Sequence, residues 1–451
     1  MSKYISIDKV VESVSITHKF NKAKLLFLNT SDIEAGKIIN TNFLPISELK
    51  GQAKKTIRKD DILFSEIRPK NRRFAYVDFE DTEDYVVSTK LMVLRNINPE
   101  VDNKYFYYFL TNDSMLNILQ SRAENRICSF PQITFDLLSE YKIRIPDILE
   151  QQKIASVLSS LDSKIELNNR INRELEQMAK LLYDYWFVQF EFPNAEGRPY
   201  KSTGGKMVWN EELKREIPEG WKVGKAADLF SFNPTLSLKK GSLSSYIDMN
   251  ALPTDGFMTK EVQLKEFNGG VKFQNGDLVV ARITPCLENG KTGLISLLND
   301  GEVGFGSTEF IVLRGRKMKL SSFAACFSRS EIFRKYAISN MTGTSGRKRV
   351  DSSALEIFSM AIPPKELLTK FEETVSAFFE KATLNTKENQ QLASLRDWLL
   401  PMLMNGQVTV GAGVNSSDDS KSSDELAATG KLTRYEVTEG MDVAAEPGGK
   451  D

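Results

Sequence analysis

The chain has 451 residues, of which 41% are hydrophobic and 27% are charged, a composition typical of folded domains rather than of disordered or fibrous chains. At this length one hydrophobic core is not expected to serve the whole chain, so we expect two or more domains. Sixty basic and sixty acidic residues balance to a net charge of zero, which at first argues against binding to nucleic acid, although the charge is unevenly spread along the chain.

The cysteines and the apolar runs bear on the compartment. Cys128, Cys286 and Cys326 are isolated and lack the spacing of a metal site, which favours a reducing, cytoplasmic environment. The N-terminal segment MSKYISIDKVVESV lacks the basic-then-apolar layout of a signal peptide. The sequence contains no run of about 18 apolar residues, so no membrane span is expected.

Residues 1–147 are predicted to form a mixed α/β domain. Strand-like runs occur at 25–28, 61–64, 74–77 and 90–94. An aromatic-rich helix is predicted over 104–121, and a short strand at 141–146 ends at Pro146.

A long amphipathic helix is then predicted over residues 148–190. Its seam positions alternate in steps of three and four, as in a coiled coil. They are Leu158, Leu161, Ile165, Asn168, Asn172, Leu175, Ala179, Leu182 and Trp186.

The same organisation is repeated after a Pro- and Gly-containing linker at 191–217. A second domain is predicted over 218–363 and a second long helix over 364–406. Three sequence pairs carry the repeat, KDDILFSEIRP (59–69) with NGDLVVARITP (275–285), STKLMVLR (88–95) with STEFIVLR (307–314), and YKIRIP (141–146) with FSMAIP (358–363). The second seam consists of Val375, Phe378, Ala382, Asn385, Asn389, Leu392, Arg396, Leu399 and Leu403. A period near 217 residues indicates a duplicated domain and a pseudo-twofold internal repeat.

Both seams place two asparagines near the middle of the helix. A buried asparagine is unfavourable unless it meets a polar partner, so we expect the helices to pair antiparallel, with Asn168 and Asn172 against Asn389 and Asn385. In the alternative interpretation each seam packs only on its own domain. The remaining segment, 407–451, is predicted to be disordered, and its residues 411–451 hold nine acids and four bases.

Catalytic motifs are not evident. His18 is the single histidine, and its polar surroundings predict an ordinary surface residue. GFGSTEF (304–310) and GGKM (204–207) do not fit phosphate-binding loops, and Asn233-Pro234-Thr235-Leu236 lacks the second proline and the aromatic residue of an amino-methyltransferase motif. Pro146-Asp147…Glu150…Lys153 does not have the spacing of a nuclease site. We therefore predict a recognition or scaffold subunit without a metal or cofactor of its own.

Basic and polar loops at matching places in both halves indicate DNA binding. Arg and Lys bind phosphates, whereas Arg, Asn, Gln, Ser and Thr contact base edges. The candidates in the first domain are Arg68, Lys70, Arg72, Arg73, Arg122, Arg126 and Gln132. Those in the second are Arg282, Lys291, Thr344, Ser345, Arg347, Lys348 and Arg349. Two similar domains separated by rigid helices suit two half-sites on one duplex. The alternative interpretation is that these loops are ordinary solvent-exposed turns.

Several long segments resemble the specificity subunits of type I restriction–modification systems. They are FPQITFDLLSEYKIRIPDILEQQKIASVLSSLDSKIELNNRINRELEQMAKLLYDYWF (130–187), FPNAEGRPYKSTGGKMVWNEELKREIPEGWKVGKAADL (192–229) and LEIFSMAIPPKELLTKFEE…LRDWLLPMLMNGQV (355–408). The resemblance covers residues 1 to about 406, and the acidic tail departs from it.

The resemblance implies two target-recognition domains that each recognise one part of a bipartite, asymmetric DNA sequence. It also implies that the helices form an antiparallel coiled coil that sets the spacer and docks two methyltransferase subunits. Those subunits bind S-adenosylmethionine and methylate adenine, and restriction (motor-nuclease) subunits join them. The alternative is a non-catalytic coiled-coil scaffold that binds only protein partners. An enzyme is the third hypothesis.

Overall fold

A computed structural model of the chain describes residues 3–125, 131–344 and 346–411. The chain divides into two units, Met1–Asp162 with Ala393–Asp451, and Ser163–Leu392. The first is called unit 1 and the second unit 2. The acidic tail lies outside the described residues from 412 onward.

Unit 1 contains the first copy of the duplicated domain. Its strands are β1 (Lys3–Ser6), β2 (Val11–Ser13), β3 (Lys24–Leu28), β4 (Ile33–Glu34), β5 (Lys37–Ile38), β6 (Phe43–Pro45), β7 (Ala53–Lys55), β8 (Ile62–Ser65), β9 (Phe74–Tyr76), β10 (Tyr85–Ser88), β11 (Leu91–Asn96) and β12 (Lys142–Ile145). Its helices are α1 (Asn103–Thr111), α2 (Asp113–Glu124), α3 (Phe135–Ser139) and the start of α4 (Ile148–Tyr183). Two sheets have the orders β6-β3-β10-β7 and β2-β11-β8-β9, and β1 pairs with β12.

The apolar runs of β8 and β11 are explained by burial on both faces of their sheet. Leu63 and Val93 pack with residues of the β6-β3-β10-β7 sheet, such as Leu26. Phe64 and Leu94, whose side chains alternate with these, pack in a second cluster with the helices. A sheet covered on both faces gives continuous apolar strands rather than alternating ones.

Unit 2 repeats this topology. Its strands are β13 (Met207–Asn210), β14 (Arg215–Pro218), β15 (Lys222–Lys225), β16 (Phe230–Phe232), β17 (Leu243–Ile247), β18 (Gln263–Glu266), β19 (Val271–Phe273), β20 (Leu278–Ala281), β21 (Thr292–Leu294), β22 (Gly304–Gly306), β23 (Phe310–Gly315) and β24 (Ser359–Ile362). Its helices are α5 (Ala226–Leu229), α6 (Ser321–Ser328), α7 (Glu331–Ser339), α8 (Ser352–Glu356) and most of α9 (Lys365–Asn405). The sheets β18-β17-β22-β19 and β16-β23-β20-β21 match those of unit 1 strand for strand. The predicted fold class, two copies of a mixed α/β domain with long helices, is confirmed.

A buried ion pair recurs at the same place in both copies. Asp61 accepts hydrogen bonds from Arg95 Nε at 2.9 Å and from Nη2 at 2.7 Å. Asp277 accepts the equivalent bonds from Arg314, both at 2.7 Å. Because these bidentate pairs join two neighbouring strands, the arginine that ends each Ser-Thr-x-x-x-Val-Leu-Arg segment stabilises the sheet.

Three local predictions differ from the structure. The helix predicted over 104–121 is two helices, because Asn112 has an extended backbone and its side chain caps α2 by accepting from the Met115 N–H at 2.8 Å. The segment 191–217, predicted as a linker, contains β13 and most of β14. His18 is buried rather than on the surface: its Nδ1 accepts from the Phe20 N–H at 2.9 Å, and its Nε2 lies 3.3 Å from the Glu83 carbonyl oxygen, 65 residues away.

The two long helices run antiparallel in unit 2 and meet at the asparagines. Asn168 Nδ2 donates to Glu388 at 2.7 Å and to Asn389 at 3.0 Å, and Asn385 Nδ2 donates to Asn172 Oδ1 at 2.9 Å. In this antiparallel pair, residue numbers increase along α4 in the direction in which they decrease along α9. A single π-helical turn, Asp184–Val188, follows α4.

Burial along the seam is graded. The buried seam residues are Leu158, Asn168, Asn172, Ala179, Trp186, Val375, Ala382, Asn385 and Leu403. Those of intermediate burial are Leu161, Ile165, Leu175, Leu182, Phe378, Asn389, Leu392 and Leu399. Leu158 shares a core cluster with Leu400 and Leu403 in unit 1, and Arg396 binds Asp162 at 2.7 Å instead of filling an apolar seam position.

The pairing of Asn172 with Asn385 is testable by a double-mutant cycle. Asn385→Leu should destabilise unit 2 by about 1–3 kcal/mol, because it leaves the buried Asn172 oxygen without its donor. Adding Asn172→Leu should recover most of that loss, since both polar groups are then gone. Thermal unfolding of the purified proteins measures both effects. Additive losses in the double variant would contradict a direct pairing.

Candidate nucleic-acid interface

The two loops predicted to bind DNA in the first domain are joined by main-chain hydrogen bonds. The Arg68 N–H donates to the Pro131 carbonyl at 3.0 Å, and the Ile133 N–H donates to the Glu66 carbonyl at 2.7 Å. The loop after β8 therefore lies beside the segment that leads into α3. Arg126, also predicted for this interface, lies outside the described residues.

The loop after β8 holds its backbone in an uncommon conformation. Arg68 and Arg72 have φ angles of 47° and 55°, and a single 3₁₀ turn, Pro69–Asn71, separates them. Residues with a Cβ rarely adopt such angles, and they persist where surrounding bonds hold them. Here the Ala35 N–H donates to the Arg72 carbonyl at 2.7 Å. Strained positions of this kind cluster at binding sites.

The predicted residues of the first domain fall into two groups. Arg68, Lys70 and Arg122 are exposed, and their side chains form no ion pair within the part of the chain that the structure describes. The others have partners in their own domain. Arg72 pairs with Asp113, Arg73 donates to the Ile33 carbonyl at 3.0 Å, and Gln132 donates to Glu66 at 2.7 Å.

The second domain brings its two predicted loops together in the same way. The Thr284 N–H donates to the Lys348 carbonyl at 3.0 Å, and the Val350 N–H donates to the Arg282 carbonyl at 3.0 Å. Residues 342–349 form a small hairpin, closed by reciprocal main-chain bonds of 2.9 and 2.8 Å between Thr342 and Arg349. Gly346, with φ +81°, permits its turn.

This 342–349 hairpin exposes Thr344, Arg347 and Lys348, whereas the structure describes no position for Ser345. The other predicted residues of the second domain have intramolecular partners. Arg349 binds Glu309 at 2.7 Å, Arg282 lies 3.4 Å from Asp351, and Lys291 Nζ donates to the Met249 carbonyl at 2.9 Å.

The electrostatics of the second domain follow these pairs. Hydrogen bonds from Arg349 lower the pKa of the Glu309 carboxyl, and Glu309 in turn raises the pKa of Arg349. The charge of Arg349 is thereby compensated by Glu309, whereas Arg347 and Lys348 are exposed. Exposed guanidinium and ammonium groups on a loop of fixed shape can bind phosphates or base edges.

Sequence reasoning missed the acidic residues that hold these loops. Glu66 binds Gln132 and Glu309 binds Arg349, yet neither acid belongs to a recognisable motif. They do not occupy equivalent places in the repeat, because Glu66 follows β8 whereas Glu309 immediately precedes β23, the counterpart of β11.

The described residues offer neither a metal site nor a membrane span. Within residues 3–125, 131–344 and 346–411, no group of His, Cys, Asp and Glu side chains could hold a metal ion. Over the same ranges, no helix is both long and apolar enough to cross a membrane.

Comparison with known proteins is consistent across sequence and fold. The chain is 28% identical to the specificity subunit of the type I restriction enzyme HindI from Haemophilus influenzae, over 90% of this chain and 99% of that one. It is 28% identical to the MjaIX specificity subunit from Methanocaldococcus jannaschii, over 70% and 72% of the two chains. The S subunit structure from M. genitalium has the same fold, with a TM-score of 0.50, 16% identity, and coverage of 90% of this chain and 96% of that one.

The family model for the type I restriction modification DNA specificity domain matches residues 4–177 and 218–394. Those two matches coincide with the two copies of the repeat, and together they cover well over half of the chain. The chain therefore belongs to the family of type I restriction–modification specificity subunits, the non-catalytic subunits of these systems.

Proposed function

We propose that this chain recognises a bipartite DNA sequence and directs a type I restriction–modification complex to it, each domain binding one half of the target. The observation that carries this proposal is the pair of loops joined by main-chain bonds at equivalent places in both domains. A single basic loop would be unremarkable, because solvated Lys and Arg are common on surfaces. Two equivalent, internally braced pairs of loops are not expected of ordinary turns.

The two half-sites should differ in sequence. The first domain exposes Arg68 and Lys70 in a loop and Arg122 in the last turn of α2, whereas the second exposes Thr344, Arg347 and Lys348. Because the scaffold is repeated and the exposed side chains are not, each domain presents different hydrogen-bonding groups to the major groove. An asymmetric target follows.

The long helices are proposed to set the unspecified spacer between the half-sites. α4 has 36 residues and α9 has 41, so at about 1.5 Å per residue they are about 54 and 62 Å long. The asparagine layer opposes slippage of one helix along the other, because a shifted register would bury these amides without partners.

The helices also carry surfaces suited to the methyltransferase subunits. On α4, Met178 and Leu181 are exposed, with Tyr185 in the following turn. On α9, Leu395 and Trp398 are exposed at positions 217 residues further along. Large apolar residues that repeat on one helix face and stay exposed indicate a protein partner. One such stripe in each repeat fits two copies of one partner.

The partners supply the chemistry in this proposal. The methyltransferase subunits bind S-adenosylmethionine and methylate adenine, and motor-nuclease subunits perform restriction. This chain contributes the DNA contacts and holds no cofactor. We expect the complex in the cytoplasm.

Methylation mapping tests the proposal directly. The chain should be co-expressed with its methyltransferase subunit in a host that lacks adenine methylation, and modified adenines mapped across the genome. The expected result is one motif with two short, unlike halves around a fixed gap. If a competent, assembled complex methylates no such motif, the DNA role fails and the scaffold that binds only protein partners is favoured.

The exposed tip of the 342–349 hairpin gives a second prediction. Arg347→Ala and Lys348→Ala should each weaken DNA binding by about tenfold, the loss expected for one charge-assisted contact. Loss of a phosphate contact lowers the dependence of log affinity on log salt by about 0.9, whereas loss of a base contact relaxes one position of the motif. Fluorescence anisotropy at several salt concentrations measures both.

The matched control for these variants is Lys317→Ala. Lys317 is exposed and lies just beyond Gly315 at the far end of β23, about 20 Å along that strand from Glu309. The Lys317→Ala substitution removes the same charge from the same domain and should leave the affinity for DNA unchanged. Equal losses in Lys317→Ala and Arg347→Ala would point to a general charge effect and would remove the hairpin from the interface.

A third prediction concerns stoichiometry. Leu181→Glu and Trp398→Glu should each remove one methyltransferase subunit, and the double variant should remove both. Leu181 is 69% exposed and Trp398 61% exposed, so neither change should lower the stability of the chain itself. Native mass spectrometry counts the bound subunits.

Leu264→Glu is the control for these variants, since Leu264 is 68% exposed but belongs to strand β18 rather than to a long helix. It should retain two partner subunits. A complex with both subunits in the Leu181→Glu, Trp398→Glu double variant would exclude the stripes as docking sites.

A further inference from the structure

The 342–349 hairpin is held by one acidic side chain at its base. Arg349 Nε lies 2.9 Å from each carboxylate oxygen of Glu309, and its Nη2 donates to Oε1 at 2.7 Å. Arg349 Nη1 also donates to the Arg347 carbonyl at 3.3 Å. The guanidinium therefore connects the sheet, through Glu309, with the main chain of the residue at the hairpin tip.

Main-chain bonds and a second ion pair complete this base. Arg282 follows β20, and its N–H donates to the Glu309 carbonyl at 2.9 Å. Its side chain lies 3.4 Å from Asp351, which caps α8 immediately after the hairpin. Glu309, Arg349, Arg282 and Asp351 thus form an alternating acid–base cluster under the exposed Arg347 and Lys348.

The first domain places an anchor at the same position with different chemistry. Ile67 forms a bridge with Gln132, as Ile283 does with Arg349. Gln132 Nε2 donates to Glu66 at 2.7 Å, so this side chain also turns onto an acid of its own domain. In both copies the residue at this position binds a glutamate, although one pair is ionic and the other is not.

We infer that Glu309 and Arg349 are positioning residues for DNA recognition, and that Arg349, although basic, does not itself contact DNA. This inference rests on the proposed function. A bidentate pair fixes both orientation and distance, and fixing a loop before binding reduces the entropy lost in the complex. Arg347 and Lys348 then reach DNA from a hairpin whose shape is set by the pair beneath them.

Whether one isosteric substitution strengthens or weakens DNA binding tests this role. Glu309→Gln removes a negative charge from a surface that binds a polyanion, so electrostatics alone predicts tighter binding. If Arg349 contacted DNA directly, releasing it from Glu309 would strengthen binding further. Loss of the positioning pair predicts the opposite, about tenfold weaker binding to the target duplex.

The measurement uses the assembled complex and a labelled duplex carrying the motif found by methylation mapping. A second duplex carries a scrambled version of the half recognised by the second domain. Glu309→Gln should lose discrimination between these two duplexes and keep discrimination at the other half. Asp300→Asn, which removes an exposed charge from the same unit, is the control and should not weaken binding.

The Arg349→Lys variant also distinguishes a positioning role of Arg349 from a direct contact with DNA. A lysine keeps the charge for a phosphate contact but cannot form the bidentate pair with Glu309. The positioning role therefore predicts a loss in Arg349→Lys similar to that in Glu309→Gln, with an unchanged salt slope. Tighter binding by Glu309→Gln, or full affinity in Arg349→Lys, would overturn the inference. Failure of the unmodified complex to prefer its motif would instead refute the proposed function.

Discussion

The antiparallel contact between α4 and α9 is the constraint on which the rest of the molecule depends. Each unit is completed by a helix stretch from the other repeat. Leu400 and Leu403 of α9 enter the core of unit 1, and Ala179 and Tyr183 of α4 enter the core of unit 2. Neither repeat therefore builds its unit alone. Within unit 2, the Asn172–Asn385 bond fixes the direction and register in which α4 meets α9.

Buried carboxylates extend this constraint from the helices into the second domain. Glu176 of α4 accepts main-chain N–H bonds from Phe257 at 2.8 Å and Met258 at 2.9 Å. Glu372 of α9 accepts the Phe323 N–H at 2.7 Å, at the start of α6. Burial raises the pKa of both glutamates, and the backbone hydrogen bonds partly oppose this rise. Burying two carboxylates is costly unless they are hydrogen-bonded, so their geometry ties the second domain to particular points on each helix.

The fold was largely predictable because its signals are local and repeated. Seam periodicity predicted the helices, and strand-like runs such as 61–64 predicted strands. Their burial on both faces depends on how the two sheets and the helices pack, which these runs did not predict. The break at Asn112 was missed because an asparagine cap inside an aromatic run is a weak signal beside that run. The burial of His18 was missed for a related reason, because its polar neighbours in the sequence gave no sign that its side chain is buried.

The candidate interface was predictable only as loops, because the fate of each cation depends on contacts distant in sequence. Arg349 and Lys348 are adjacent and both basic, yet one binds Glu309, 40 residues away, and the other is exposed. In the proposed function, this separation lets one scaffold serve different DNA sequences. The Asp61–Arg95 and Asp277–Arg314 pairs are identical in the two copies and hold the sheets, whereas the anchors beneath the loops differ. Recognition can therefore change at the loop tips without loss of the core, provided that each new tip keeps an anchor of its own.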